Sequence, residues 1–305
     1  MPTFEWGTAF DNRSQIIRLS DRRDAGHTRE DADMFFGKQA PDVRDITVLI
    51  KTFQRPKTVN GAIKKIRQFY PDIRILVADD SQVPTAIADD KTEVHYLPFD
   101  TGLSKGRNHL LEQVETEFFL LMDDDHFFCR GTHLDRMRDI LKNHDFDILS
   151  GLVFERSKSK RDFYRKRLID FYLNIKLEDG TLEFCDGFHE KTDEFVTCDL
   201  VHNFFLARTE PVRSIGGWDD QLKIAEHADF FIRAKVAGMK VGYTPHIRVD
   251  HVHLKEERFS TNYMAFRKRM PEFRSIWIEK HGIKQVVRRD GSVMSSREFI
   301  EQKGW

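Results

Sequence analysis

Three consecutive carboxylates, Asp123, Asp124 and Asp125, directly follow the apolar run 118–122. Carboxylates at this spacing repel one another, so the cluster needs a cation or a bound proton. A hard divalent ion such as Mn²⁺ or Mg²⁺, bridging to substrate phosphates, meets that need. Because ligands of open α/β sheets bind beyond the carboxyl ends of the strands, the position of the triplet favours a metal-assisted nucleotide site. A solvated acidic turn is the alternative for an isolated triplet.

A second acidic pair and a glycine-containing turn strengthen that interpretation. Asp79 and Asp80 follow another apolar run, 73–78. The turn 102–108 places two glycines and the cations Lys105 and Arg107 around the start of a predicted helix. Glycines and cations at a helix start suit a phosphate or a ribose, although an ordinary helix cap has the same composition. The three features together indicate a nucleotide-binding edge.

The elements that must hold these residues alternate between strands and helices. The run 46–53 is β-branched and too apolar to be half-exposed, which is typical of a buried parallel strand. The order strand, helix, strand, strand, helix, strand predicts a mostly parallel, Rossmann-like α/β sheet flanked by helices, with right-handed crossovers. Strands are predicted at 46–53, 73–81, 93–98, 117–122, 147–151 and 202–207, and helices at 58–70, 106–114, 135–143 and 228–238.

Length, composition and net charge limit the class of protein that the chain can be. The chain has 305 residues, 40% hydrophobic and 32% charged, enough to bury the core of one large or two small domains. The net charge of -1 lacks the strongly basic footprint of a nucleic-acid-binding protein. No apolar run is long enough for a transmembrane segment, and the first residues lack a signal-peptide core. The run 157–161, with 165–167, is basic; we interpret it as a solvated face, with attraction of an anionic acceptor as the alternative.

The cysteines bear on the compartment. Cys129, Cys185 and Cys198 have no metal-type pair spacing, and their odd number favours reduced thiols. We therefore expect a cytoplasmic protein, with peripheral attachment at a membrane as the alternative.

Four stretches occur in an order that is specific to one family: Lys51 to Arg55, Phe69 to Pro71 leading to Ala78 to Ser81, Gly106 to Asn108, and Asn203 to Arg208. In this order the chain resembles the family 2 glycosyltransferases of the GT-A fold. Within them it is similar to the catalytic domain of the animal ganglioside β-1,4-N-acetylgalactosaminyltransferases and their bacterial relatives. The resemblance implies a polar N-terminal extension at 1–44, a GT-A catalytic domain at 45–255, and a C-terminal extension at 256–305 that is a candidate to close over the donor site.

The resemblance also implies roles for single residues in the donor site. The last carboxylate of the triplet, Asp125, binds the metal in such enzymes, and a histidine further along the chain completes the site. His251 is the best match for that histidine, and His253 is the alternative. The uracil and ribose of UDP are expected to contact Thr52, Arg55, Asp79, Asp80, Arg107 and Asp123.

A base that accepts the proton of the acceptor hydroxyl is the other requirement. In the ganglioside-type enzymes a carboxylate precedes paired phenylalanines and a histidine lies two residues before it, which points to Asp229 and His227. The relatives carry Glu where this chain has Asp229, so Glu226 remains a competing base, and a simple helix N-cap is the alternative for Asp229. Trp218 and Asp219 are assigned to the acceptor, with a buried core tryptophan as the alternative for Trp218.

The function that follows from the resemblance is a metal-dependent, inverting transfer of a hexosamine, with UDP-GalNAc as the expected donor and Mn²⁺ or Mg²⁺ as the cofactor. The acceptor is expected to be a glycan or glycoconjugate hydroxyl, and the product a β linkage. A polysaccharide-type enzyme using UDP-GlcNAc, UDP-glucose or UDP-galactose is the first alternative. A non-catalytic nucleotide-sugar or glycan-binding module is the second. A nucleotidyltransferase is disfavoured, because 51–55 contains no glycine.

Overall fold

A ten-stranded mixed sheet forms the centre of the molecule. The computed structural model describes residues 41–158, 164–254 and 263–302. Most of the predicted N-terminal extension, 1–40, and the basic residues 159–161 lie outside the described residues. The strands of this sheet are β1 (Ile46–Thr52), β2 (Arg74–Asp79), β3 (Thr92–Tyr96), β4 (Phe118–Asp123), β5 (His126–Phe127), β6 (Ile148–Lys158), β7 (Tyr164–Leu168), β10 (Val196–Thr197), β11 (Phe204–Arg208) and β12 (Val241–Val252).

The strand order explains why the predicted site forms at one edge. Along the sheet the order is β10-β12-β6-β11-β4-β1-β2-β3, and β3, β2, β1 and β4 are all parallel to their neighbours within this group. β11 is antiparallel and lies between β4 and β6. Every residue of β1 is buried, as a parallel strand covered on both faces requires. The predicted α/β class is confirmed, and the ends of β1, β2 and β4 meet at one side of the sheet.

Eight helices are present in the described part of the chain. α1 (Pro56–Phe69) begins two residues before its predicted start, because Pro56 suits the first turn, where no backbone N–H is needed. α5 (Glu226–Val236) likewise begins two residues before its prediction and ends two before it, at a turn that contains Gly238. The other helices are α2 (Leu103–Glu112), α3 (Leu134–Asn143), α4 (Thr209–Ser214), α6 (Tyr263–Arg267), α7 (Met270–Lys280) and α8 (Ser296–Glu301).

A second, four-stranded sheet joins the middle of the chain to its end. It contains β8 (Asn174–Glu178), β9 (Thr181–Cys185), β13 (Gln285–Val287) and β14 (Val293–Ser295). β13 pairs in parallel with β9. The fully buried Trp277 of α7 packs in the same apolar core as Leu121 of β4 and Phe230 of α5. The described residues after 262 therefore share the core of the domain, whereas the sequence placed them in an extension beside it.

Among the residues that the structure describes, the helices are too short or too polar for any of them to cross a bilayer.

Candidate active site

The register of the central strands brings the acidic motifs together. In the β1–β4 pairing Lys51 lies opposite Asp123, and in the β1–β2 pairing Thr52 lies opposite Asp79. All three strands run the same way, so these residues and the loops that follow them share the carboxyl edge of the sheet. The structure thus places the two acidic motifs predicted from the sequence at one edge.

The middle acid of the triplet has a structural partner set. Asp124 is fully buried, accepts a hydrogen bond of 2.7 Å from the Thr52 hydroxyl, and forms an ion pair with Arg55. Arg55 also donates from Nη1 to Asp125 at 2.8 Å. Burial raises the pKa of Asp124 to about 7. Burial acts in the same direction on Asp125, but Arg55 and His251 outweigh it and hold the pKa of Asp125 well below its usual range.

Two overlapping groups at this edge have the donor atoms of a metal site. Asp125, His251 and His253 form one group, and Asp123, Asp125 and His126 the other; within each, the ligand atoms lie within 4.8 Å of one another. β5 pairs with β12 so that His126 lies opposite His251. Carboxylate oxygens and imidazole nitrogens together suit a divalent transition metal. The residues present therefore fit such an ion.

The protonation of the histidines in these groups differs. Burial lowers the pKa of His126, which keeps it in the neutral form that binds metals. Burial would also lower the pKa of His251, but the carboxylate of Asp125, 3.4 Å from its Nε2, raises it. The Nδ1 atom of His251 is buried without a hydrogen-bond partner among the described residues. His126 had no role in the sequence interpretation, although its position directly after the triplet is a usable signal.

Asp79 and Asp80 hold two loops in place at this edge of the sheet. Asp79 accepts hydrogen bonds from the backbone N–H groups of Ser81, at 2.9 Å, and Thr85, at 2.7 Å. Asp80 forms a buried ion pair with Lys51 and accepts from the backbone of Gly102 at 2.7 Å. These bonds fix the shape of the loop after β2 and anchor the turn before α2.

Gly106 is required by the close approach of α2 to Lys51. A Cβ at this position would lie 2.5 Å from side-chain carbons of Lys51. Burial lowers the pKa of Lys51, and the neighbouring Asp80 opposes that shift. The glycine-containing turn therefore allows a buried cation to reach the acids.

Arg107 connects the triplet to α5. Its Nη1 donates to Glu226 at 2.5 Å and its Nη2 to Asp123 at 3.2 Å. Both Arg107 and Glu226 are buried, and the guanidinium lies over the ring of Trp218, 5.6 Å from its centroid. Glu226 is thus brought to the site, but as the counter-ion of Arg107.

His227 is linked to the triplet by Asn203, which had no individual role in the sequence interpretation. The Nδ1 of His227 lies 2.9 Å from Oδ1 of Asn203, and Nδ2 of Asn203 lies 3.5 Å from Oδ2 of Asp123. The Nε2 of His227 is buried and has no hydrogen-bond partner among the described residues. The phenyl ring of Phe171 lies over the imidazole with centroids 5.5 Å apart.

The imidazole of His227 is neutral near physiological pH. Burial lowers its pKa to about 3, with smaller contributions from Arg107 and His202 in the same direction, and the backbone carbonyl of Val201 opposes the shift. The helix begins here in a strained conformation, because Ala225 has a φ of 62°. Such strain is found most often at functional sites.

Asp229, the base favoured by the sequence, lies in different surroundings. Its side chain has 0% exposure; Oδ2 accepts from Arg233 at 2.8 Å, and Oδ1 lies 2.9 Å from His281 and 3.2 Å from Lys280. Burial would raise its pKa, but these partners lower it to about 2. Asp229 lies in the first turn rather than at the N-cap, which is Ala225. An acceptor hydroxyl cannot reach this carboxylate unless the ion-pair cluster opens.

The two residues assigned to the acceptor also have internal partners. Trp218 is 2% exposed and stacks on Phe230, with centroids 4.8 Å apart. Asp219 accepts from Lys280 at 2.7 Å and so belongs to the cluster around Asp229. A sugar cannot stack on Trp218 without displacing this packing, whereas the partly exposed Phe171 offers an aromatic ring next to His227.

The segment 263–269 lies beside the loop that follows β1. The ring of Tyr263 lies 4.8 Å from the guanidinium of Arg55, and Phe266 packs on Phe53 with centroids 4.9 Å apart. Arg269 donates to Asp100 at 2.6 and 2.8 Å. Closure of this segment over a donor remains a prediction, and residues 255–262 lie outside the described residues.

Fold and site together define a class. A mixed sheet that presents acids, cations and imidazoles at the carboxyl edge of its parallel half is the GT-A architecture of glycosyltransferases. A crystal structure of S. aureus TarS in complex with UDP-GlcNAc superimposes with a TM-score of 0.50 and 15% identity, over 77% of this chain and 66% of that one. At this identity the likeness concerns the fold alone.

The chain belongs to glycosyl transferase family 2, whose family model matches residues 47–213. It is 35% identical over 209 residues to β-1,4 N-acetylgalactosaminyltransferase 1 of Rattus norvegicus, a match that covers 68% of this chain and 38% of the relative. It is 34% identical over 206 residues to β-1,4 N-acetylgalactosaminyltransferase 2 of Mus musculus, covering 68% and 39%. A pre-mycofactocin glycosyltransferase of Mycobacterium tuberculosis is 25% identical over 224 residues, covering 72% and 45%. The chain spans about two fifths of the length of the first two relatives, and the resemblance inferred from the motifs is confirmed.

Proposed function

We propose that this protein transfers a sugar from a UDP-sugar to a hydroxyl of a glycan acceptor, with inversion at the anomeric carbon. The observation that carries the proposal is the convergence of three kinds of group at one sheet edge. Acids and imidazoles whose ligand atoms lie within 4.8 Å of one another are there, buried cations lie beside them, and a neutral histidine has a nitrogen without a hydrogen-bond partner among the described residues. Phosphate binding, charge neutralisation and proton removal are the requirements of glycosyl transfer from a nucleotide.

N-acetylgalactosamine is the donor sugar that we propose. Support comes from relatives about 35% identical over two thirds of this chain, whose names specify β-1,4 N-acetylgalactosaminyl transfer. UDP-GlcNAc, UDP-glucose and UDP-galactose are the competing donors in the test below. The β linkage follows if the acceptor attacks the face opposite to the departing UDP.

A divalent ion, Mn²⁺ or Mg²⁺, is the proposed cofactor, held by Asp125 and His251, with His126 and His253 as the remaining candidate ligands. When bound, it supplies positive charge that stabilises the diphosphate leaving group. Arg55 forms ion pairs with Asp124 and Asp125 at the same edge. Asp123 and Arg107 are proposed to contact the ribose side of the donor, as the family resemblance implies.

His227 is the base that we propose for the acceptor proton, in place of Asp229. Its neutral imidazole has a lone pair on Nε2 with no protein partner in the described part of the chain. The acceptor O–H bond breaks as the proton moves to Nε2, the oxygen bonds to the anomeric carbon, and UDP leaves with the electrons of the old glycosidic bond. The partly exposed ring of Phe171 lies beside this imidazole, with centroids 5.5 Å apart, and we propose that it contacts the acceptor sugar.

The proposal is tested with a panel of UDP-sugars, with Mn²⁺ and then with EDTA, by measuring UDP release and thermal stabilisation. We expect stabilisation by UDP that requires the metal, and release that is fastest with UDP-GalNAc. Asp125→Ala should remove both, whereas Asp139→Ala, a surface carboxylate on α3, should change neither. Stabilisation by UDP without UDP release under any donor and acceptor condition would instead support a non-catalytic binding module. No response to any UDP-sugar would overturn the nucleotide assignment.

A further inference from the structure

One of the four family motifs has no role in the proposed function. The stretch 203–208 marks the family resemblance, and its residues from Phe204 to Ala207 are the buried core of β11. Arg208 donates to the backbone of Phe146 at 3.1 Å. Only Asn203, at the start of the strand, faces the candidate active site, where it lies between Asp123 and His227.

The carboxamide of Asn203 is oriented by its two neighbours. A carboxylate accepts hydrogen bonds but donates none, so the side of Asn203 that faces Asp123 must be its NH₂ group. The oxygen then faces His227, at 2.9 Å from Nδ1. Because an amide oxygen only accepts, the proton of a neutral imidazole has to be on Nδ1. The lone pair is therefore on Nε2, the buried atom without a partner among the described residues.

We propose that Asn203 is a positioning residue that holds His227 as the Nδ1–H tautomer and so keeps Nε2 free to accept the proton of the acceptor hydroxyl. This inference rests on the proposed function. Asp123 then has a second role. Its carboxylate, which is expected to contact the donor, also orients the amide of Asn203, and that amide fixes the tautomer of His227. The two substrate sites are joined by two side-chain contacts, of 3.5 and 2.9 Å.

A second histidine in the same pocket provides an internal reference. His202 lies next to Asn203, and its Nε2 lies 2.8 Å from the backbone oxygen of Ile169. Burial lowers its pKa to about 4, so it is also neutral at neutral pH. Since a carbonyl oxygen only accepts, His202 must be the Nε2–H tautomer. The structure thus assigns opposite tautomers to two neighbouring neutral histidines.

The test uses long-range proton–nitrogen NMR spectra of the full chain labelled with nitrogen-15 histidine. We expect the pattern of an Nδ1–H imidazole for His227 and of an Nε2–H imidazole for His202, with the signals assigned by their loss in His227→Gln and His202→Gln. In Asn203→Leu, His227 should lose the Nδ1–H pattern while His202 keeps its own. An Nε2–H pattern for His227 in the unmodified protein, or no change in Asn203→Leu, would overturn the inference.

Kinetics separate a positioning role from a purely structural one. Asn203→Leu should lower kcat at least about 10-fold and leave the donor KM within about threefold, because the base is misdirected but the donor still binds. Asn203→Asp keeps an oxygen for Nδ1–H and should recover turnover above that of Asn203→Leu at alkaline pH. Its acid limb should move to higher pH, since a carboxylate stabilises the imidazolium. Arg107 and His202, the other titratable groups that act on His227, are unchanged in both variants.

The two possible failures are distinguishable. If the unmodified protein turns over and Asn203→Leu, shown to be folded by its melting curve, turns over equally well, the inference fails and the proposed function stands. If no donor is turned over but the NMR patterns are as expected, the tautomer assignment stands and the proposed function fails.

Discussion

His227 and Asp229 are two residues apart on α5, and the structure places them in opposite surroundings. Positions i and i+2 of a helix do not share a face. His227 faces the sheet edge with one nitrogen bonded to Asn203 and the other without a described partner. Asp229 faces α7 and is held by Arg233, Lys280 and His281. One residue retains an unused hydrogen-bonding atom, and the other has its charge compensated within the protein.

The difference shows how to distinguish a reactive group from a structural one. A buried polar atom without a partner costs roughly 1–3 kcal/mol, so each such atom requires an explanation, and for Nε2 of His227 we propose proton transfer. The carboxylate of Asp229 is hydrogen-bonded to Arg233, Lys280 and His281, and removing it would leave Arg233 and Lys280 without this counter-charge. Both His227 and Asp229 match the family motif, so similarity alone does not show which of them is reactive. Their hydrogen-bond partners in the structure distinguish them.

The largest effect is expected at the His227 face. His227→Gln should lower turnover by about 10²- to 10⁴-fold, because the general base is removed, while UDP binding stays near normal. The matched control is His281→Gln, which changes the same residue type on the Asp229 face. It should leave turnover of the folded protein within about threefold. Rates from UDP release and affinities from calorimetry measure both variants. Equal losses in the two variants would mean that the two faces are not functionally distinct.

A loss of stability rather than of rate is expected at the other face. Asp229→Asn removes a buried charge from its partners and should lower the free energy of unfolding by about 3–5 kcal/mol. Turnover per folded molecule should change by less than about threefold. Denaturant titration and active-site-normalised rates give the two quantities. A loss beyond 100-fold in turnover, with unfolding unchanged, would return the role of base to Asp229.

The smallest effect is the contribution of Asp229 to acid stability. Its pKa in the folded protein is about 2, against an ordinary value of 3.8. A lowered pKa in the folded state stabilises the protein above pH 3.8, and this stabilisation disappears as the pH falls through 2. The difference corresponds to about 2 kcal/mol. Comparing the unfolding free energies of the unmodified protein and Asp229→Asn between pH 5 and pH 2 measures it. Parallel curves would show that Asp229 is not ion-paired in solution.

Much of the fold is predictable from local sequence patterns. The runs that become β1, β2 and β4 are continuous and apolar, and Asp79 and the triplet mark the carboxyl ends of β2 and β4, so the amino-acid sequence alone locates the edge of the candidate active site. The short strands β8, β9, β13 and β14 were not predicted, because each has only three to five residues. The β8–β9 and β13–β14 pairs are local hairpins, whereas the pairing of β9 with β13 joins parts of the chain about 100 residues apart.

The contacts of the candidate active site also depend on residues that are far apart in the chain. The surroundings of Asp229 depend on Lys280 and His281, some fifty residues further along the chain, and no local pattern announces that contact. Whether Trp218 is exposed or buried depends on the ring of Phe230. Asn203 belongs to one of the four family motifs, yet its partners come from β4 and α5. The sequence identifies the residue types of the site, but it does not show which side chains of different helices and strands are in contact.

The parallel pairing of β9 with β13 has a consequence for the order in which the protein is made. Thr181 pairs with Gln285, so β9 leaves the ribosome roughly 100 residues before its partner. At a synthesis rate of about 5–20 residues per second, β13 and Trp277 emerge some 5–20 seconds after β9. Until then β9 and the apolar core that packs around Trp277 lack these partners. During that interval the nascent domain exposes both an unpaired strand edge and apolar surface, which are the features that promote aggregation. Completion of the fold is therefore expected only after α7 and β13 have been released, and a chain terminated before α7 should accumulate as a chaperone-bound or insoluble species.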